Sequence, residues 1–249
     1  MTFLRDRDWQ FPIRELDGKV YQSFSPMEAE KFIISLGSVM REWHFLFLIW
    51  NRLQIEHKNR LEALEERLSL GKRIITQLED SGLTRKFMHN SDLIHLDTED
   101  FLIHAKILLD GLVYLTKTFF IDRIVEKGSE PPDGFTRFRK WFKEEKNSIL
   151  IIDSELAEFI KVNTDWYEEL QYARDKLIVH RKGYHTDVLR EEDKVIVIGK
   201  AKTRFDEVKN IVDWQKIEDM PDLNNLVDNI TELLHFYDKH FTQMLEKSN

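Results

Sequence analysis

FLIHAKILLDGLVYLTKTFFIDRI, residues 101–124, decides how the rest of the chain reads. Phe101, Ala105, Leu108, Leu112, Leu115 and Phe119 recur at the spacing of one helix face, and Leu102, Leu109 and Val113 widen that face, while Lys106, Asp110 and Lys117 lie close to one line on the opposite side. A helix so broadly apolar is central. Just before it stand Asp97, Thr98, Glu99 and Asp100, residues that cap orphan amides and suit the positive end of a helix, so the spacing predicts a helix over 98–124.

On its N-terminal side, Ser25 followed by Pro26 and by acids at Glu28 and Glu30 marks the start of a long helix, predicted over 26–80. Uninterrupted, that helix would reach several times the radius expected of a compact domain, so a break or a protruding arm is expected, with Gly37 and Gly71 as the weak points. Trp43 to Trp50 reads as a core segment, with His44 packed. Leu61, Leu64, Leu68, Ile75 and Leu78 form a seam suited to a second long helix. A polar connection is expected at 81–90, and residues 1–24 form an extension. On the C-terminal side, Gly128 to Gly134 (GSEPPDG) is a loop, since two prolines and two glycines do not continue a helix. A short basic helix over Arg137 to Lys146 follows, then one opening at Asp153 or Ser154. Thr164 or Asp165 opens another over 164–182. Alternating β-branched residues predict a hairpin near 186–199. The last helix, 221–247, carries Leu223, Val227, Ile230, Leu234, Tyr237, Phe241 and Leu245 in one stripe. The expectation is an all-α, up-and-down bundle, with residues 25–249 as a single domain.

Composition agrees with that class. The 249 residues include only 9 glycines and 5 prolines, too few for the turns of a β-sandwich or barrel. The absence of cysteine excludes disulfides, thiol catalysis and thiolate metal sites, and points to a cytoplasmic protein. The formal net charge of −8 leaves no whole-molecule field to draw the chain onto nucleic acid or an anionic membrane, so a polyanion site has to be local. Met1 to Phe24 alternates charges with aromatics and has no signal-peptide or membrane-spanning run.

The chemistry concentrates in Tyr172-Ala173-Arg174-Asp175-Lys176-Leu177-Ile178-Val179-His180-Arg181-Lys182. This Arg-x5-His pattern at a helix end resembles the R-x(4 to 6)-H signature of HEPN domains, which are up-and-down helical bundles. The resemblance covers seven residues of motif and a compatible helix order over 25–180 plus the last helix. It implies a metal-independent endoribonuclease with no cofactor, a toxin or antiviral effector, with the site formed where two copies meet. A homodimer, RNA, and an antitoxin or defence-complex partner are then the expected partners, and no membrane.

Cleaving RNA through its own 2′-hydroxyl needs a group that moves protons and a cation beside the phosphate. An imidazole near pH 6.5 fits the first role and assigns it to His180; the guanidinium fork of Arg174 fits the second. Asp175 either orients the imidazole or supports the helix. On an ideal helix, six positions set Arg174 and His180 roughly 120° apart, so either the helix end is distorted near Gly183 or a second protomer completes the site. Some HEPN proteins carry a modified tyrosine two residues after the His; here that position is Lys182, with Tyr184 two places further on. Lys176, Arg181 and Lys182, with Arg139, Lys140 and Lys143 of the basic helix, are candidates for RNA-backbone contacts. Phe138, Trp141 and Phe142, at helical spacing, read equally as core.

Two other readings stand beside this one. Glu232-x-x-His235 and Asp92-x-x-His95 have the spacing of carboxylate-bridged di-metal bundles, with His104 as a third ligand, but two further inward carboxylates are missing. A non-catalytic helical module that holds a protein or nucleic-acid partner explains the same helices without the motif. Asp110, four residues after Lys106, reads as half of an ion pair.

Overall fold

The computed structural model describes residues 8–70, 77–144, 147, 151–175, 185–191, 194–200 and 222–248. Eight helices occur among them: α1 Glu15–Ser23, α2 Pro26–Leu70, α3 Gln77–Phe119, α4 Ile121–Lys127, α5 Phe135–Lys143, α6 Ser154–Asn163, α7 Tyr167–Arg174 and α8 Leu223–Ser248. Strands β1, His185–Glu191, and β2, Lys194–Lys200, pair antiparallel with Val188 opposite Val197. The protein is thus predominantly helical. It divides into two compact units that interleave in sequence. The first comprises Met1–Asp8, Leu46–Ile103 and Glu169–Asn225; the second comprises Trp9–Phe45, His104–Glu168 and Leu226–Asn249.

The second unit gathers around Phe119, at the end of α3. Its ring stacks on Phe241 of α8 at 4.1 Å and meets Phe24, Phe32 and Phe120 within 6 Å. The expected stripes of α3 and α8 are buried along their length. Where Val39 of α2 crosses α3, it would lie 3.1 Å from a Cβ placed on Gly111, so a larger residue there would push the two helices apart. Inside this core the Thr116 hydroxyl and the Tyr237 phenol share a hydrogen bond of 2.9 Å, which satisfies two buried polar groups at once. At the opening of α2, the Glu28 carboxylate accepts the Ser25 amide at 3.1 Å, half of a capping box.

Residues 1–7 of the expected extension lie outside the described ones, and α1 within it is held by the second unit. Leu16 and Val20 of α1 are buried, and the Asp238 carboxylate of α8 accepts the amides of Glu15 and Leu16 at 3.0 and 2.9 Å. The cap of α1 thus comes from more than two hundred residues away, which no local pattern signals. Trp9 also packs on Trp43, whose indole N–H donates to the Trp9 carbonyl at 3.1 Å.

The loop GSEPPDG is held electrostatically. Lys117 donates to Glu130 at 2.8 Å and to Asp133 at 2.5 Å, and Gly128 and Gly134 adopt positive φ of 63° and 79° on either side of the prolines. Asp110 ion-pairs with Lys106 and also accepts the Phe135 amide at 2.7 Å, capping α5. At α6, Asp153 accepts the Leu156 amide at 2.7 Å and His240 Nε2 at 2.9 Å. Burial pushes the Asp153 carboxyl up, but His240, that amide and Arg123 outweigh it, so it titrates below the usual range.

In the first unit, Trp50 of α2 lies against Phe101 of α3 at 6.0 Å, and Leu46, Leu53, Ile94 and Leu170 are buried. Several boundaries differ from those expected: the helix expected over 98–124 ends at Phe119, where Phe120 leaves helical geometry and α4 follows, and the one expected over 137–146 is α5, Phe135–Lys143. Helix α2 runs through Gly37 without a break as far as Leu70, and α3 begins at Gln77, so 81–90 is helix and not a connection. The Asp97–Asp100 cluster caps nothing: Thr98 donates back to the Ile94 carbonyl at 2.7 Å, and Asp97 is engaged by Arg52. Likewise Thr164 closes α6 by donating to the Ile160 carbonyl, and α7 starts three residues later. The seam side chains of Leu61, Leu64, Leu68 and Leu78, and Ile75 as a whole, lie outside the described ones. Between Pro26 and Arg60, α2 is long and apolar enough to cross a membrane by length and composition alone, with 39% of its most apolar window buried inside the protein.

Replacing Asp238 by Ala should lower stability by about 1–2 kcal/mol, the cost of losing a helix cap with two amides on it. Thermal unfolding should show the loss, and amide exchange of α1 should quicken.

Candidate functional site

Three groups of charged side chains are candidates. The first lies at the end of α7. Leu170 and Ala173 bury one face of this helix, which places Arg174 on the half-exposed side. Its Nε and one terminal nitrogen both reach Oδ1 of Asp175, at 3.1 and 2.6 Å. Asp175 therefore holds the guanidinium of its neighbour. His180, Lys176, Arg181 and Lys182 lie outside the described residues.

The second group is on α5. Phe135, Phe138 and Phe142 are buried, as core spacing predicts. Arg139, expected on an RNA-facing surface, is buried with them: Nε donates to Thr164 at 2.7 Å, a terminal nitrogen to Asp165 at 3.1 Å, and the guanidinium sits 5.2 Å from the centre of the Tyr167 ring. This side chain ties α5 to the α6–α7 connection and presents no surface to a polyanion. Lys143 is exposed and bound to Asp165 at 2.6 Å; Lys140 is exposed. Arg139 stands four residues after Phe135 and three before Phe142, which puts it on the face that those two rings bury.

The third group was not anticipated. In the first unit Arg52 of α2 forks onto Asp97 of α3, at 2.9 and 2.5 Å, with Asp100 at 3.7 Å. Glu56, one turn beyond Arg52, faces the same Asp97, and its Oε2 is buried without a hydrogen-bond partner. Burial, followed by the charge of Asp97, pushes the Glu56 carboxyl up to about 7, against the pull of Arg52. Burial also raises Asp97, despite Arg52. Two carboxyls facing one arginine thus hold a proton near neutrality. Sequence spacing carries no sign of this, because the partners meet across two helices.

The remaining candidates fall elsewhere. His104 bonds Glu42 at 2.7 Å through Nδ1 and packs on Phe45, a hydrogen-bonded histidine in the second unit. His44 is exposed. Glu232 and His235 are exposed on α8, and Asp92 is exposed on α3 with His95 bound to Glu99 at 3.2 Å. Among the described residues no three His, Cys, Asp or Glu side chains are placed to share a metal ion. No protein family, curated protein or solved structure matches the chain.

Arg139→Ala should lower stability by about 1–3 kcal/mol, since it strips partners from buried Thr164 and contact from Tyr167, whereas Lys140→Ala should leave the melting temperature unchanged. The folded chain holds the Glu56 proton more tightly than the unfolded chain, whose glutamates titrate near 4.5. Stability should therefore fall as pH rises from about 4.5 through about 7 and then level off. Glu56→Gln should melt above the parent at pH 8 and close to it at pH 4.5; equal melting temperatures at pH 8 would remove the buried proton.

Proposed function

We propose that the chain is a HEPN-type, metal-independent endoribonuclease acting as a toxin or antiviral effector in the cytoplasm, on a bundle of the HEPN kind. The observation that carries this reading is the Arg174–Asp175 pair. Bonds from two guanidinium nitrogens to one carboxylate oxygen fix the direction of the side chain and leave its remaining N–H groups to a phosphate. In the reaction, the 2′-hydroxyl gives its proton to His180 and its oxygen attacks the adjacent phosphorus. The bond to the 5′-oxygen breaks, and that oxygen takes up a proton as it leaves. Arg174 stabilises the charge gathered on the phosphate oxygens. Asp175 acts through Arg174 as a positioning residue. Lys176, Arg181, Lys182 and exposed Lys140 serve as backbone contacts, and a second copy completes the site, under the control of an antitoxin or defence complex.

A second reading, a non-catalytic helical module, is favoured by the exposed apolar positions on α2.

Purified protein incubated with labelled single-stranded RNA in EDTA should cleave it, and His180→Ala and Arg174→Ala should each lower the rate by a factor of 100 or more, at roughly 10²–10⁴ per catalytic group. Asp175→Asn should lower it less, with binding retained. Cleavage should weaken steeply with salt. If no form of the protein cuts, the module reading takes its place.

A further inference from the structure

The outer face of α2 in the second unit has a pattern that neither the core nor the proposed nuclease site uses. Met27, Glu30, Ile34, Gly37, Arg41 and His44 follow one another at alternating three- and four-residue steps, the seam of a coiled coil. Ile34, within α2, is 66% exposed, and Met27, in its first turn, is 63% exposed. Arg41 is 64% exposed along its side chain and makes only long bonds, 3.4 Å each, to Ser38 and Glu42. Gly37 is the informative member. Its φ is not in the left-handed region, and a Cβ built on it meets nothing within 4 Å, so the single chain gives no reason for a glycine that costs an exposed helix about 1 kcal/mol. Close approach from outside the chain does.

We infer that a second copy of this chain packs its α2 antiparallel on this face, about a two-fold axis between positions 34 and 37. Antiparallel seams set a positions against d positions. The axis that seats Ile34 over Gly37 of the second copy also sets Glu30 against Arg41 and Met27 against His44, and symmetry repeats each pair. The charge complementarity selects the occupant: the only charges in the seam, one acid and one base, meet each other in this register and in no like-charged pair. The apolar knob fills the one notch that the seam contains. On the neighbouring α3, exposed Ile107 and Tyr114 extend the apolar surface of the unit. Association of this kind is independent of whether the chain cuts RNA.

Sedimentation equilibrium of the full chain should give a reversible dimer. Glu30→Arg and Arg41→Glu should each weaken it by about tenfold or more, by placing like charges opposite one another. The double swap Glu30→Arg with Arg41→Glu should restore it, and Gly37→Leu should dissociate it, all four variants keeping the parent circular dichroism. Because the chain has no cysteine, an equal mixture of Ile34→Cys and Gly37→Cys proteins should form a disulfide-linked heterodimer on oxidation. A parent that stays monomeric at all concentrations overturns the inference, as does a dimer indifferent to the charge swaps or a monomer that instead pellets with phosphatidylcholine–phosphatidylglycerol vesicles.

Discussion

The second unit depends on the contact of Phe119 with Phe241. Phe119 is the last residue of α3, and the offset stack at 4.1 Å, with Phe24, Phe32 and Phe120 around it, joins three helices and the α1–α2 turn at one point. Aromatic pairs of this kind add about 0.5–1.5 kcal/mol each beyond the area they bury. They also explain why α3 stops where it does. Phe120 leaves helical geometry with φ −103° and ψ 23°, which turns its own ring onto Phe241 and lets α4 start in a new direction. Several polar groups of this unit are satisfied across elements, as in the Thr116–Tyr237 bond and the amides held by Asp110, Asp153 and Asp238.

Helix faces were the most legible part of the chain. The stripe from Phe101 to Phe119 and that from Leu223 to Leu245 needed only the 3.6-residue period, and both are buried. Caps were less so, because the same residue types have other work when a partner helix passes by. Asp97 looks like a cap until Arg52 is placed beside it; Thr164 looks like a start until its hydroxyl turns back to Ile160. Cationic residues proved harder still. A lysine or arginine in a basic run declares its charge but not its direction, and one turn of helix separates buried Arg139 from exposed Lys143.

The site follows the same division. Arg174 and Asp175 were legible as members of one motif, with Asp175 expected to orient the imidazole or support the helix; what the structure adds is that its carboxylate engages the Arg174 guanidinium. Glu56 was invisible beforehand. It is one of many glutamates in α2, and only the proximity of Asp97 across the helix pair, with removal from water, separates it from the others. A carboxyl pushed up to about 7 in a helix-to-helix contact makes the stability of the first unit sensitive to pH just below neutrality.

The cap that Asp238 places on α1 has a consequence for how the molecule comes into being. Both halves of that bond lie in one unit, yet 222 residues separate Leu16 from Asp238. During synthesis the first forty-five residues emerge long before α8 exists, and α2 then has its apolar inner face open as well as its outer one. The unit closes as a late, long-range event, which slows folding and leaves a nascent chain that presents sticky helix to its surroundings. The last helix is therefore a closing piece, and trimming it would expose the oldest part of the chain.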